Sequence, residues 1–213
     1  MRARGALRMT TSRWMLAAAL GALALVAAIY FLFPAGDRLG TALRYTARGS
    51  FCWFMLATTG SPLVTLFGDR FDWLSQRGRD FGLAFASAHS VHVGLVAWHL
   101  YDSPDPRLNA SFVFFSVGVL LMYLLAFLSL SSALRSRLGL KIGRIVRTVG
   151  VEYIAFIFIA DFHGRAFHDG FSKAVYLPLL ALSVAGPLLR LAARAKRWLM
   201  ALNEHFSPPL TGV

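Results

Sequence analysis

Residues 81–101 read FGLAFASAHSVHVGLVAWHLY and hold no Asp, Glu, Lys or Arg, with Asp80 before them and Asp102 after. As one helix rising about 1.5 Å per residue, the run is long enough to cross a hydrocarbon core about 30 Å thick. Three further charge-free stretches of at least 20 residues lie at 14–36, 49–68 and 108–134. A water-soluble core has no room for four such segments, so the reading that decides the fold is a membrane-spanning helical bundle. Composition agrees: 15% of the 213 residues are charged and 57% are hydrophobic, where a soluble domain carries about 25% charged residues.

Two weaker spans complete the pattern. Residues 148–163 are apolar but interrupted by Glu152 and Asp161; residues 174–189 are uncharged and run into Arg190, which can reach toward headgroups. The expectation is an all-α membrane protein of about six transmembrane helices. Met1 to Arg13 form a basic tail, residues 14–195 the six-helix domain and residues 196–213 a short tail. The first apolar run, 14–33, is longer than a signal-peptide core of about 7–15 residues and lacks a clear small-x-small cleavage site, so it reads as a retained helix. Thr59, Gly60, Ser61 and Pro62 should kink or break the second span near its end, and Pro178 and Pro187 the sixth. The 101–110 connection, with Pro104 and Pro106, reads as an extracytoplasmic turn.

The net charge of +12 would suit nucleic acid if it formed a patch, but it is distributed by topology. Sixteen of the 22 basic residues fall in the N-terminal tail, the 2–3 and 4–5 loops and the C-terminal end. Cytoplasmic segments carry this excess, so both termini are expected in the cytoplasm of a bacterial inner membrane. Lipid phosphate is then the partner of the charge, and nucleic acid is not. Cys52, the only cysteine, allows no intrachain disulfide or CxxC metal site and reads as a small buried apolar residue. No GxGxxG or GxxxxGK[ST] pattern occurs, so any electron or phosphate donor is expected to be another molecule.

Polar residues inside membrane helices are costly and point to function. The third span holds His89, His92 and His99, spaced three and seven apart and so on one helical face with Phe85 and Val96. The fifth ends in Asp161 and His163, with Ile159, Phe156, Glu152 and Val149 on the stripe below His163; His168 follows in the next loop. His92 and His163 both fall in the outer half of the membrane, where two imidazoles would reach opposite faces of one haem. Three readings of these residues stay open: haem ligation, a metal held by His92, His163 and Asp161, and histidines that only bond helix to helix.

Several short motifs, in order, resemble the ferric-reductase-like transmembrane domain family, most closely its branch of haem-b membrane subunits of periplasmic methionine sulfoxide reductase. A basic segment leads through Gly82-Leu83 to His92, ten residues after the glycine. Leu125 to Ser132 (LAFLSLSS) is followed by the basic Arg135 to Gly139 (RSRLG), and Thr59 to Leu63 is similar to the family's Thr-Pro-Leu element. The likeness covers about residues 40–195. It implies haem b held by His92 and His163 as outer ligands, and an electron-transfer subunit without a flavin or nicotinamide domain of its own. Electrons would come from a quinone or a flavoprotein and pass to an extracytoplasmic oxidoreductase or acceptor. Arg79 and Arg147 would hold propionates or anionic headgroups at the inner face, or serve only to set the topology, which is the simpler role. The family's Trp and Leu-His opening the fifth helix are missing from Ile142 to Arg147, so the resemblance implies one haem. His89 is then a substitute inner ligand, and His99 a ligand if the pairing is shifted outward. Two rivals are a cofactor-free membrane protein on the same scaffold and a small transporter using Glu152, Asp161 and the histidines as a proton path.

Overall fold

A computed structural model describes residues 2–103, 110–167 and 171–206; the side chains of 2–10, 35, 135, 171–172 and 204–206 are outside that description. His168, the 104–109 part of the expected turn, the His205 side chain and the tail beyond 206 therefore lie outside the described residues. The elements are α1 (Arg2–Leu32), α2 (Arg38–Phe67), α3 (Asp72–Gln76), α4 (Gly78–Tyr101), α5 (Ala110–Leu130), α6 (Ser132–Ala166) and α7 (Phe171–Phe206), with 3-10 turns at Ala35–Asp37 and Asp69–Phe71. Among the described residues there is no strand.

Five helices contain a segment long and apolar enough to cross a membrane: Thr11–Leu32, Arg38–Phe67, Gly78–Tyr101, Ala110–Leu130 and Lys173–Asn203. The chain is an all-α, multi-pass membrane protein. Residues exposed on its outside include Leu16, Phe31, Leu120, Phe127 and Leu191, the surface that lipid rather than water accommodates. The expected fifth span, in α6, is not among the five, because Arg147, Glu152, Asp161 and Arg165 dilute its apolar run. The expected breaks at proline are absent: α2 continues through Pro62 to Phe67, and α7 through Pro178 and Pro187. The irregularity falls instead at Gly139, whose φ of 72° separates two helical pieces of α6. Only glycine takes that conformation without a steric cost. Ser131 caps the first piece, accepting the Leu134 N–H at 3.1 Å.

Helices α2, α4, α5, α6 and α7 close into a ring, each packed on the next, with α1 outside against α4 and α2. Their shared core is rich in aromatic rings, Phe51 and Phe54 of α2, Phe85 of α4, Phe158 and Phe162 of α6 and Tyr176 of α7, with Met122 contributed by α5. The Thr11 hydroxyl donates to Asp80 at 2.7 Å, bringing the start of α4 to the start of α1. Arg197 donates to Thr65 Oγ1 at 3.0 Å, bringing the end of α7 to the end of α2. These contacts place the beginning of α1 and the end of α7 at one end of the bundle, since α2 leads to α4 through a short turn.

The carboxylates of α6 are paired inside the protein. Glu152 accepts from Arg190 through both oxygens, at 3.0 and 2.7 Å, and from Arg194 at 3.0 Å. Such a forked pair offsets part of the cost of holding charge away from water.

The tightest backbone approach lies where α3 folds back on α2. A Cβ on Gly60 would meet Ser75 N at 2.7 Å and Leu74 C at 2.8 Å, whereas one on Gly49 of the same helix meets nothing within 4 Å. Gly60→Ala is therefore expected to destabilise by about 1–3 kcal/mol through backbone overlap. Gly49→Ala should stabilise by about 0.5–1 kcal/mol through helix propensity. Unfolding midpoints in detergent check the pair, and equal shifts would deny the close approach.

Candidate functional site

Two histidines of α4 face α2 with matching spacing. His89 Nδ1 lies 2.9 Å from Ser50 Oγ and His92 Nδ1 lies 3.0 Å from Thr46 Oγ1. Ser50 and Thr46 are four apart on one helix and the histidines three apart on the other, so one turn of α2 meets one turn of α4.

The direction of these bonds follows from the hydroxyl protons. Thr46 Oγ1 already donates to the Ala42 carbonyl at 2.7 Å, and Ser50 Oγ to that of Ala47 at 2.9 Å. A hydroxyl has one proton to give, so each must accept from its imidazole. Both rings thus carry their proton on Nδ1, and the Nε2 lone pair is left unused. The tautomers are assigned here from the hydrogen-bond network. Imidazoles that bind metals are commonly oriented in this way, the far nitrogen held by a second group.

Both rings line an open-sided cavity of about 770 Å³ between α2, α4, α5, α6 and α7. That is within the range of about 300–1,000 Å³ found for small-molecule and cofactor sites. The rings stand 5.0 Å apart, centroid to centroid, tilted by 34°. Around them the wall is apolar, with Val96 and Phe115 on one side and Ile157 and Phe158 on another. Polar groups gather at the α6 side and the α2 start. Asp161 pairs with Arg165 at 3.3 Å, and Arg44 with Asp37 at 2.6 Å. Tyr176 is buried in the wall, with the Arg48 guanidinium 4.4 Å and that of Arg165 5.6 Å from its ring centre.

The four expected site residues divide evenly. His89 and His92 line the cavity; His99 and His163 are exposed and do not. His163 stacks instead on Phe167, ring centres 5.1 Å apart. It lies two residues beyond Asp161, about 200° round the helix, so when Asp161 faces the cavity His163 faces away. The face of α6 that turns inward carries Ile154, Phe158, Asp161 and Phe162, while Val149 and Phe156 of the expected stripe are more than half exposed. His92, His163 and Asp161 do not assemble, and among the described residues no group of three His, Cys, Asp or Glu side chains is placed to hold a metal ion. Cys52 is exposed, not buried as expected.

Thr46, Ser50, Arg44 and Tyr176 escaped the sequence reading. The first two carried a usable signal: hydroxyls four residues apart in a span that must face the histidine-bearing one.

No family model, no curated protein and no solved structure matches this chain.

Thr46→Val keeps the side-chain shape but removes the acceptor for His92 Nδ1–H. The Leu43 backbone stays as a further hydrogen-bond partner of the ring, so the loss is that of one hydrogen bond, about 0.5–1.5 kcal/mol, and should appear as a lower unfolding midpoint in denaturant. Ser136→Ala removes an exposed hydroxyl that bonds only its own helix and should shift the midpoint by less than about 0.5 kcal/mol. Equal shifts would show that the bond between α2 and α4 carries no stability.

Proposed function

We propose that this chain is a haem-b-binding membrane protein that passes electrons from a quinone or flavoprotein to an acceptor on the extracytoplasmic side. The observation that carries the reading is the pair of anchored imidazoles, each with an unused Nε2 lone pair, on the wall of one large apolar cavity. Haem iron takes a neutral imidazole nitrogen and a macrocycle favours aromatic and aliphatic walls, so these residues fit the group. His92 is the axial candidate, with His89 beside it, and Arg44 and Arg165 stand where carboxylates of a bound group would be met. The α6 wall offers no imidazole among the described residues, so one protein ligand is the reading that fits. When bound, the group supplies one-electron chemistry; the protein orients it, shields it from water and sets the nearby charge.

The topology proposed with it is six spans with both termini cytoplasmic, in a bacterial inner membrane. Support comes from the ends of the bundle: a chain whose first helix begins where its last helix ends must cross an even number of times. α6 then supplies the remaining span, the fifth in chain order. Its 27 residues after Gly139 reach about 40 Å, and Glu152 has its partners within the protein. Arg13, Arg77, Arg79, Arg194 and Arg197 lie at the end where α1 begins, the cytoplasmic one by the charge rule.

A second reading has its own observation. The same Nδ1 bonds tie α2 to α4, which is all that a cofactor-free scaffold would ask of the two histidines.

The absorption spectrum of protein purified from haem-replete cells separates the two. The proposal expects a Soret band and a dithionite-dependent alpha band, lost in His92→Ala and retained in His163→Ala. A colourless protein, or bands lost with His163→Ala and kept with His92→Ala, would contradict it. Topology has a separate test, in a Cys52→Ala background with an impermeant maleimide on intact cells. Asp102→Cys should label and Lys141→Cys should not; the reverse would overturn the orientation.

A further inference from the structure

A second cavity, of about 260 Å³, lies at the other end of the ring, where α2 ends and α4 begins. No histidine lines it. Its polar side is made by Arg79 of α4 and Arg147 of α6, with Ser61 and Ser75 beside them. Neither arginine makes an ion pair or hydrogen bond with a described residue, and no carboxylate lines the space. Its opposite side is apolar, with Leu125 and Val151 among the lining.

Arg79 and Arg147, both exposed, bring two positive charges to the lining of one concavity, and no carboxylate in that lining offsets them. An anion between them reverses the sign of the interaction, and phosphate oxygens suit the planar guanidinium donors. The apolar half gives the rest of the same molecule a place that water would not. A hydrophilic anion has no use for that half, and a neutral apolar molecule has none for the arginines. Basic pockets between transmembrane helices take anionic lipid heads for these reasons.

We propose that this cavity binds the phosphate head of an anionic phospholipid between Arg79 and Arg147, with the start of its acyl chains along Leu125 and Val151. The binding depends on nothing in the histidine cavity and does not require haem there. Lipid held at this point clamps α4 to α6, the two helices whose opposite ends wall the larger cavity.

The test uses the full-length protein in a neutral detergent, stripped of lipid and titrated with phosphatidylglycerol, the unfolding midpoint reporting saturation. Inorganic phosphate and phosphatidylcholine form parallel arms. Phosphatidylglycerol is expected to raise the midpoint, and phosphatidylcholine and phosphate are not. Each arginine–phosphate contact is worth about tenfold in affinity, so R79Q/R147Q should raise the half-saturating concentration at least about tenfold. R137Q/R144Q removes two exposed basic residues of α6 outside the cavity and should change it by less than about twofold. Ala126 also lines the cavity, and A126F fills the apolar half while leaving both arginines. It should weaken binding as R79Q/R147Q does, and it decides the matter if the arginine variant does not fold. Equal response to phosphatidylcholine, or equal loss in R137Q/R144Q, would overturn the site. Stabilisation by inorganic phosphate as strong as by the lipid would overturn the lipid as the source and assign the arginines to a soluble phosphate.

Discussion

Hydrocarbon offers a polar side chain no partner, and this constraint arranges the interior of the protein. Serine and threonine hydroxyls inside the helices spend their proton on a carbonyl three or four residues back. Thr46, Ser50, Thr58, Thr59, Ser90, Ser129 and Ser183 all do so. A hydroxyl so committed can only accept, and that fixes what it can ask of a neighbour. Thr46 and Ser50 therefore receive the Nδ1 protons of His92 and His89, and Ser90 receives the hydroxyl proton of Tyr123 at 3.0 Å. A modest local habit of two side chains on α2 thus decides which nitrogen of each histidine is left for a ligand.

The charged residues obey the same constraint at higher cost. Glu152 would be hard to place on a lipid-facing helix, yet it sits between Arg190 and Arg194 of α7 and turns the weakest apolar segment into an integral wall of the ring. Arg190 is almost fully buried, and its Nη1 has no partner among the described residues, so the carboxylate is its principal compensation. Asp161 is tethered one turn back from Arg165 in the same manner. With α6 locked to α7 by the Glu152 pairs and to α5 by the Tyr153 hydroxyl on the Phe114 carbonyl at 3.1 Å, the histidine cavity has a fixed far wall.

Much of the fold was legible in the sequence because charge-free length is a direct physical requirement of crossing a bilayer. The runs at 14–36, 49–68, 81–101 and 108–134 each became part of a helix long enough to span, and the histidine neighbourhood of α4 was found by its polarity alone. The inward face of α6 was not legible. In a water-soluble helix the apolar side is the buried side, but a membrane helix is apolar all round. Val149 and Phe156 on the lipid side therefore look the same in sequence as Phe158 and Phe162 on the core side. Small residues such as Ala155 and Ala166, both buried, and the carboxylate of Asp161 mark the true face; His163, two residues on, marks the wrong one. The prolines end no helix for a related reason: neighbouring helices let α2 and α7 continue through Pro62, Pro178 and Pro187 where an isolated helix would stop.

The central claim is that His89 and His92 both present an unprotonated Nε2 to one cavity because their Nδ1 protons belong to Ser50 and Thr46. Long-range proton–nitrogen correlation spectra of ligand-free, 15N-histidine-labelled protein read this directly. The account predicts that both residues give the Nδ1–H pattern, and that the His92 pattern changes in Thr46→Val. An Nε2–H pattern for either residue in the native protein, or a His92 tautomer indifferent to Thr46, would contradict it.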